Sequence, residues 1–274
     1  MAQLGDRASA TVSLEPDILK QIDAADSARR RRFRLQFALV WIVLIGALVG
    51  ALWLTDRINP EFIGRWAPFI LGGAGLTILI CVSSIIIATI LALIGAFGRL
   101  STNPIAYGVA SLYVSFVRGT PLFVQLVFIF FALPQMGIVV PAVESGIIAL
   151  GFNYGAYMTE IFRAGIQAVP PGQREAARSL GMPERLVMRR IVLPQAIRIV
   201  IPAIGNDFVA MIKDSSLVMF IGAQELLWRA LAVGRQNFRT FETLLIAALV
   251  YWILTIIFSY FQERLERRLA RSDR

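Results

Sequence analysis

Three uncharged runs, Leu35–Leu54, Trp66–Gly98 and Thr243–Gln262, each supply the length of apolar helix, about 20 residues, that crosses the hydrocarbon core of a bilayer. A helix satisfies all of its backbone polar groups within one segment, so runs of this kind predict an all-α integral membrane protein. Composition agrees, with 57% hydrophobic and 16% charged residues in 274 against about a quarter charged in ordinary soluble domains. One cysteine and no histidine leave no Cys/His zinc site, Ser-His-Asp triad or disulfide framework. The net charge of +9 does not point to nucleic acid, because no long polar segment exists on which a basic stripe could form.

The middle of the chain is less regular. Arg118-Gly119-Thr120-Pro121 breaks the apolar stretch from Ile105 to Leu133, and proline after glycine ends a helix there. Neither half is long enough for a full span, so the expectation is an interfacial lead-in helix followed by one short or tilted span. Further spans are expected over about Val143–Ile166 and Ala196–Ile212, for about six transmembrane helices. With six spans, 21 of the 27 Lys and Arg residues fall on the side that holds both termini, which places both termini in the cytoplasm. The corresponding division is a polar, basic leader over 1–34, an N-terminal span and outer loop over 35–65, a transmembrane domain over 66–262 and a cytoplasmic tail over 263–274. Arg29–Arg32 with Arg34, directly before the first span, suits the headgroups of membrane lipid. Glu263–Arg268 alternates acid and base as a solvated helix end does.

Between the fourth and fifth spans lies Pro170-Pro171-Gly172-Gln173-Arg174-Glu175-Ala176-Ala177-Arg178-Ser179-Leu180-Gly181-Met182-Pro183, which runs on to Ile191-Val192-Leu193-Pro194. Pro171 suits the first turn of a helix and Gly181 the left-handed position just past its end. Together they delimit a helix of about ten residues. Pro183 opens a second helix, which Pro194 is expected to bend or end. Ala176 and Ala177 give the first helix a low-profile side for another protein's groove, and Glu175 and Arg178, at i and i+3, give it a charged edge. The same pattern also reads as a solvated loop whose arginines obey the positive-inside rule.

The spacing Glu175-Ala176-Ala177, Gly181, Ile191, Leu193-Pro194 resembles the EAA signature of bacterial ABC importer permeases at every defining position. Phe116–Leu122, Asn153–Tyr157 with Glu160–Arg163, and Lys213–Leu217 resemble the polar amino-acid branch of that family. The resemblance covers about Leu71–Phe261. It implies a type I importer core of five helices, here with one extra N-terminal span, in a bacterial inner membrane. It also implies a homo- or heterodimeric sister permease, an extracytoplasmic solute-binding protein and a cytoplasmic ABC ATPase met through Glu175, Ala176, Ala177, Arg178 and Gly181. The chain has no GxxxxGK[ST] motif, and its only lysines are Lys20 and Lys213. ATP is therefore expected on the ATPase partner, with no cofactor and no catalysis in this chain. The rival readings are a nucleotide-independent secondary carrier and a non-conducting membrane scaffold.

Ionisable groups within spans face a bundle interior, a partner or a pathway. Asn153, Tyr157 and Glu160 fall at i, i+4 and i+7, on one helix face. That stripe reads as a lining for a polar or zwitterionic solute, and equally as a site where Glu160 pairs with Arg163 one turn on. Asn206 and Asp207 lie past mid-membrane, and Asp207 reads as a solute contact or as a packing acceptor. Arg118, before Gly119-Thr120-Pro121, reads as an interfacial anchor or elbow element rather than as a substrate ligand.

Overall fold

The computed structural model describes residues 16–54 and 58–270. These residues are helical apart from short connections, and no strand occurs among them. The chain divides into two compact units, residues 1–59 and 60–274.

The first unit contains α1 (Pro16–Leu54), a single helix of 39 residues. Its helical path begins well inside the polar leader, so the basic run and the apolar span form one rod. Phe33, Phe37 and Trp41 follow one another along one face at i, i+4 and i+8, with ring centroids 6.3 and 6.1 Å apart. The early leader, residues 1–15, lies outside the described residues.

The second unit starts at α2 (Pro60–Leu71), so residues 60–65 belong to it and not to an outer loop. It continues with α3 (Gly73–Arg99), α4 (Pro104–Gly119), α5 (Leu122–Val127) and α6 (Ala142–Gln167). The cytoplasmic segment forms α7 (Pro171–Ser179) and α8 (Glu184–Val187), and α9 (Leu193–Asp214), α10 (Leu226–Gln236) and α11 (Thr240–Ala270) complete the chain. α11 carries the expected solvated end, where Arg267 pairs with Glu263 at 3.5 Å.

The centre is the α3–α6 contact, the most extensive between any two elements. Small residues bring these helices together: Ala88, Ala92 and Ala96 are fully buried. A Cβ added at Gly95 would stand 2.3 Å from Thr159 Oγ1, and one at Gly151 would stand 2.9 Å from Ile87 Cγ2. In lipid, where apolar surface gives little drive to associate, this close backbone approach is the main source of helix–helix attraction.

By length and hydropathy three described stretches qualify as spans, 27–51, 60–99 and 240–269, and five do if each sharply bent helix pair counts as one. α6 is not among them, although its 26 residues suffice for about 30 Å at 1.5 Å per residue. It carries Glu144, Asn153, Glu160 and Arg163, and its burial within the bundle frees it from the need to be apolar all round. The sequence expects six spans with α6 among them, and the described stretches that qualify number three to five. The chain turns by 104° between Pro104–Gly119 and Leu122–Met136. A transmembrane hairpin would need a near reversal, so this right-angled elbow agrees with a lead-in helix feeding a span.

Pro194 does not end the helix. A π-helical turn over Met188–Val192 leads straight into α9, with Pro194 in its first turn. The widened turn absorbs the missing N–H and the ring, which is how a helix passes a proline without stopping.

Candidate functional site: a polar cavity and a capped cytoplasmic helix

The helix over 171–179 forms where its punctuation places it. Pro171 occupies its first position, and the far end closes with Gly181 N–H donating to the Arg178 carbonyl at 2.8 Å and Met182 N–H to the Ala177 carbonyl at 3.1 Å. This bonding pattern requires a left-handed residue just past the cap, and Gly181 supplies it at φ +76°.

The two alanines part company. Ala176 is exposed, while Ala177 is buried in a cluster with Ile166, Val169, Val187, Val192 and Ala196. The expectation that both form a partner-facing side is thus corrected: α7 must spend one small face on its own chain to be held against α6 and α9. Arg174 adds a hydrogen bond to the Ile166 carbonyl at the end of α6. The charged edge is also rearranged, because Arg178 forms its ion pair with Glu184 of α8. The hydrogen bond from Arg178 holds the Glu184 carboxyl below the usual carboxylate range. Glu175 remains exposed. Leu180, passed over in the sequence, stands 82% exposed at the tip of the loop. Its signal was a large aliphatic residue immediately before a capping glycine, a position with no covering element.

The polar residues within the bundle separate into two groups. Glu160 accepts from Arg163 at 2.7 Å and from Arg99 at 3.1 Å, and Arg99 also donates to Ser111 Oγ on α4. It therefore ties α3, α4 and α6 together, which is the local-pairing reading with a second arginine added. Asn206 is likewise engaged, accepting from Gln262 of α11 at 2.9 Å. Neither Glu160 nor Asn206 lines the cavity described next.

That cavity, of about 550 Å³, is walled by the α4–α5 elbow, α6 and α9, with Arg118, Asn153, Tyr154, Tyr157, Asp207 and Asp214 as its polar lining. The elbow is fixed by Gln125, whose side-chain amide donates to the carbonyls of Val117 at 2.9 Å and Thr120 at 3.2 Å. Its carbonyl accepts from Asn153 at 3.3 Å. The Arg118 guanidinium lies 5.1 Å from the centroid of the Tyr157 ring. Arg118 thus stands at the elbow, in keeping with the elbow reading, and also lines the cavity. Tyr154 donates to Asp214 at 2.8 Å. Oδ2 of Asp207 is buried with no hydrogen-bond partner. The cavity presents separated charges of both signs, with an aromatic ring beneath the cation.

Residues 85–271 match the family described as the binding-protein-dependent transport system inner membrane component. The chain is 38% identical over 207 residues to the arginine transport system permease protein ArtQ of Bacillus subtilis, covering 75% of this chain and 94% of that one. It is 42% identical over 218 residues to the L-cystine transport system permease protein TcyB of the same organism, covering 79% and 91%. A solved amino acid ABC transporter, crystallised with histidines, superposes with a TM-score of 0.74 at 39% identity, over 77% of this chain and 99% of that one. The chain belongs to the inner membrane components of binding-protein-dependent transport systems, a family of multi-pass transport subunits and not of catalysts.

Proposed function

We propose that this chain is the permease subunit of an importer that carries a polar amino acid inward, driven by a separate ATPase that binds the ATP. The observation that carries the solute class is the cavity, where Arg118 and the carboxylates of Asp207 and Asp214 face one volume. An amino acid brings a carboxylate and an ammonium group, and charge-assisted hydrogen bonds to both ends fix its orientation. The curated relatives named above transport arginine and L-cystine, which supports the same class. A solute-binding protein delivers the amino acid from outside, and both termini lie in the cytoplasm. A second permease, identical or homologous, completes the pathway.

Coupling to the ATPase runs through Glu175, Ala176, Arg178 and Leu180, four exposed residues of the capped helix and its end. Ala177 supports the same contact from inside, by holding that helix against α6, and Gly181, itself exposed, by closing its end. Closure of the ATPase pair is passed through this helix to the bundle, which then alternates its access.

The test is purification from the native membrane in mild detergent with identification of co-purifying proteins, beside ATP-driven amino acid uptake in proteoliposomes. Gly181→Val is the informative variant, because a β-branched residue at positive φ costs roughly 1–2 kcal/mol locally and shifts the helix end without removing a charge. The expected result is a P-loop ATPase recovered with the wild type and lost, or uncoupled from uptake, in a folded Gly181→Val variant. Uptake that survives nucleotide depletion would replace this reading with a secondary carrier. Recovery of the ATPase without solute-stimulated hydrolysis would replace it with a scaffold.

A further inference from the structure

We infer that α7 moves the cavity through α6 and not through α9, and that Arg174 is the positioning residue that carries the movement. The inference rests on the importer reading above and deepens it, by naming the route from the ATPase contact to the solute.

The sequence prepares this link. In a continuing helix the carbonyl of residue 166 would accept from the N–H of residue 170, but residue 170 is a proline and has none. The last turn of α6 therefore ends with an open carbonyl at Ile166. Arg174 of α7 donates to it through Nη2. The acceptor lies at the negative end of the α6 dipole, where a guanidinium is favoured, and a charged donor makes the stronger kind of hydrogen bond. Arg174 Nε is itself buried and meets no acceptor, so the guanidinium gives up water to reach α6.

A second side-chain link joins α7 to α9. Gln195 Nε2, in the first turn of α9, donates to Gln173 Oε1 and to the Ile191 carbonyl. This link pairs two neutral amides, and Gln173 is exposed, so water competes for it.

The two limbs also differ in stiffness. α6 and α9 each form a wall of the cavity, with Tyr157 on the first and Asp207 on the second. α6 runs unbroken as α-helix from Ala142 to Gln167 with no proline inside, so regular helix alone, about 14 Å of it at 1.5 Å per residue, separates Ile166 from Tyr157. α9 is entered through the π-helical turn over Met188–Val192 and carries Pro202 between Gln195 and Asp207. A proline inside a helix removes a backbone hydrogen bond and loosens the helix there. A displacement applied at the start of α9 is partly taken up at Pro202, whereas one applied at Ile166 reaches Tyr157 with little loss. α6 also takes α3 with it, through Glu160 and Arg99.

The experiment compares wild type, Arg174→Ala, Arg174→Lys and Gln195→Ala as permease–ATPase complexes in proteoliposomes, supplied with the solute-binding protein and a radiolabelled mixture of the common L-amino acids. It reads ATPase recovery on purification, ATP hydrolysis, and amino acid taken up per ATP hydrolysed. Arg174→Ala is expected to keep the ATPase and its hydrolysis while uptake per ATP falls about tenfold. Arg174→Lys, which still places a cation at the end of α6, is expected to recover most of that ratio, and Gln195→Ala to stay within about twofold of wild type. A residue that served only folding or docking would lose ATPase recovery and hydrolysis together and leave the ratio unmoved. Loss of ATPase recovery in Arg174→Ala, a ratio unchanged in that variant or not recovered by lysine, or an equal fall in Gln195→Ala would each overturn the inference and leave the importer reading standing. Absence of ATP-driven uptake by wild type would overturn both.

Discussion

Glu160 on α6 and Asp207 on α9 are carboxylates in one helical bundle, and their surroundings are opposite. Glu160 is held between Arg163 of its own helix and Arg99 of α3, so its charge is already spoken for and its oxygens are satisfied. Asp207 lines the cavity, and its Oδ2, itself buried, meets no donor. A donor competing for the carboxylate would have to displace two guanidiniums at the first position and none at the second. Charge within a span therefore does not by itself mark a solute path, since at Glu160 it holds helices together.

This contrast predicts a graded series of effects. The largest belongs to the close α3–α6 approach that lets Arg99 reach Glu160. Gly95→Leu drives a side chain into Thr159, where even a Cβ would stand 2.3 Å from Oγ1. Overpacking of this kind is expected to cost about 3 kcal/mol, seen as loss of the monodisperse peak on size exclusion and a lower melting temperature. A variant that kept wild-type stability would mean the helices separate easily, and the ionic rivet that Glu160 forms with Arg99 and Arg163 would lose its significance.

Next is the rivet itself. Glu160→Gln leaves Arg99 and Arg163 without their counter-charge. Their side chains are 21% and 30% exposed, so the cost expected for a fully buried pair is reduced to about 2 kcal/mol. Asp207→Asn is expected to leave the melting temperature within the equivalent of about 0.5 kcal/mol, because no partner is stranded, while amino acid uptake falls. Parallel thermal unfolding of the two variants reads the comparison directly, and equal destabilisation would erase it.

The smallest effect lies at the exposed Arg178–Glu184 pair in the cytoplasmic loop. Arg178 holds the Glu184 carboxyl below its unfolded value. The stabilisation is thus complete above the ordinary glutamate pKa of about 4.3 and is lost as pH falls through the lowered folded value. Hydrogen-exchange protection at Gly181–Glu184, relative to the intrinsic rate at each pH, is expected to fall slightly below about pH 4 and to show the same change in high salt at neutral pH. An exchange rate indifferent to both would show that the cap and the apolar cluster around Ala177 hold the loop alone.

The capped helix was legible before any coordinates because its signals act through the backbone. Proline at the first position and glycine at positive φ are constraints on single residues, and Pro171 and Gly181 sit where those constraints require. The fate of Ala177 was not legible, since neighbouring alanines look alike until α6 and α9 are placed beside one of them. The polar stripe of α6 was read correctly as one face, but Asn153 and Tyr157 turn to the cavity while Glu160, one turn on, meets Arg99 from a helix about sixty residues earlier.

Sequence alone determined that the chain spans a membrane, where its helices begin and end near proline and glycine, and which family it resembles, because uncharged length, cap chemistry and motif spacing are local properties. Only the tertiary structure decided which polar residues are spent on holding helices together and which stand beside empty volume. That decision depends on what lies within about 3 Å of each side chain, and most of those neighbours come from distant parts of the chain.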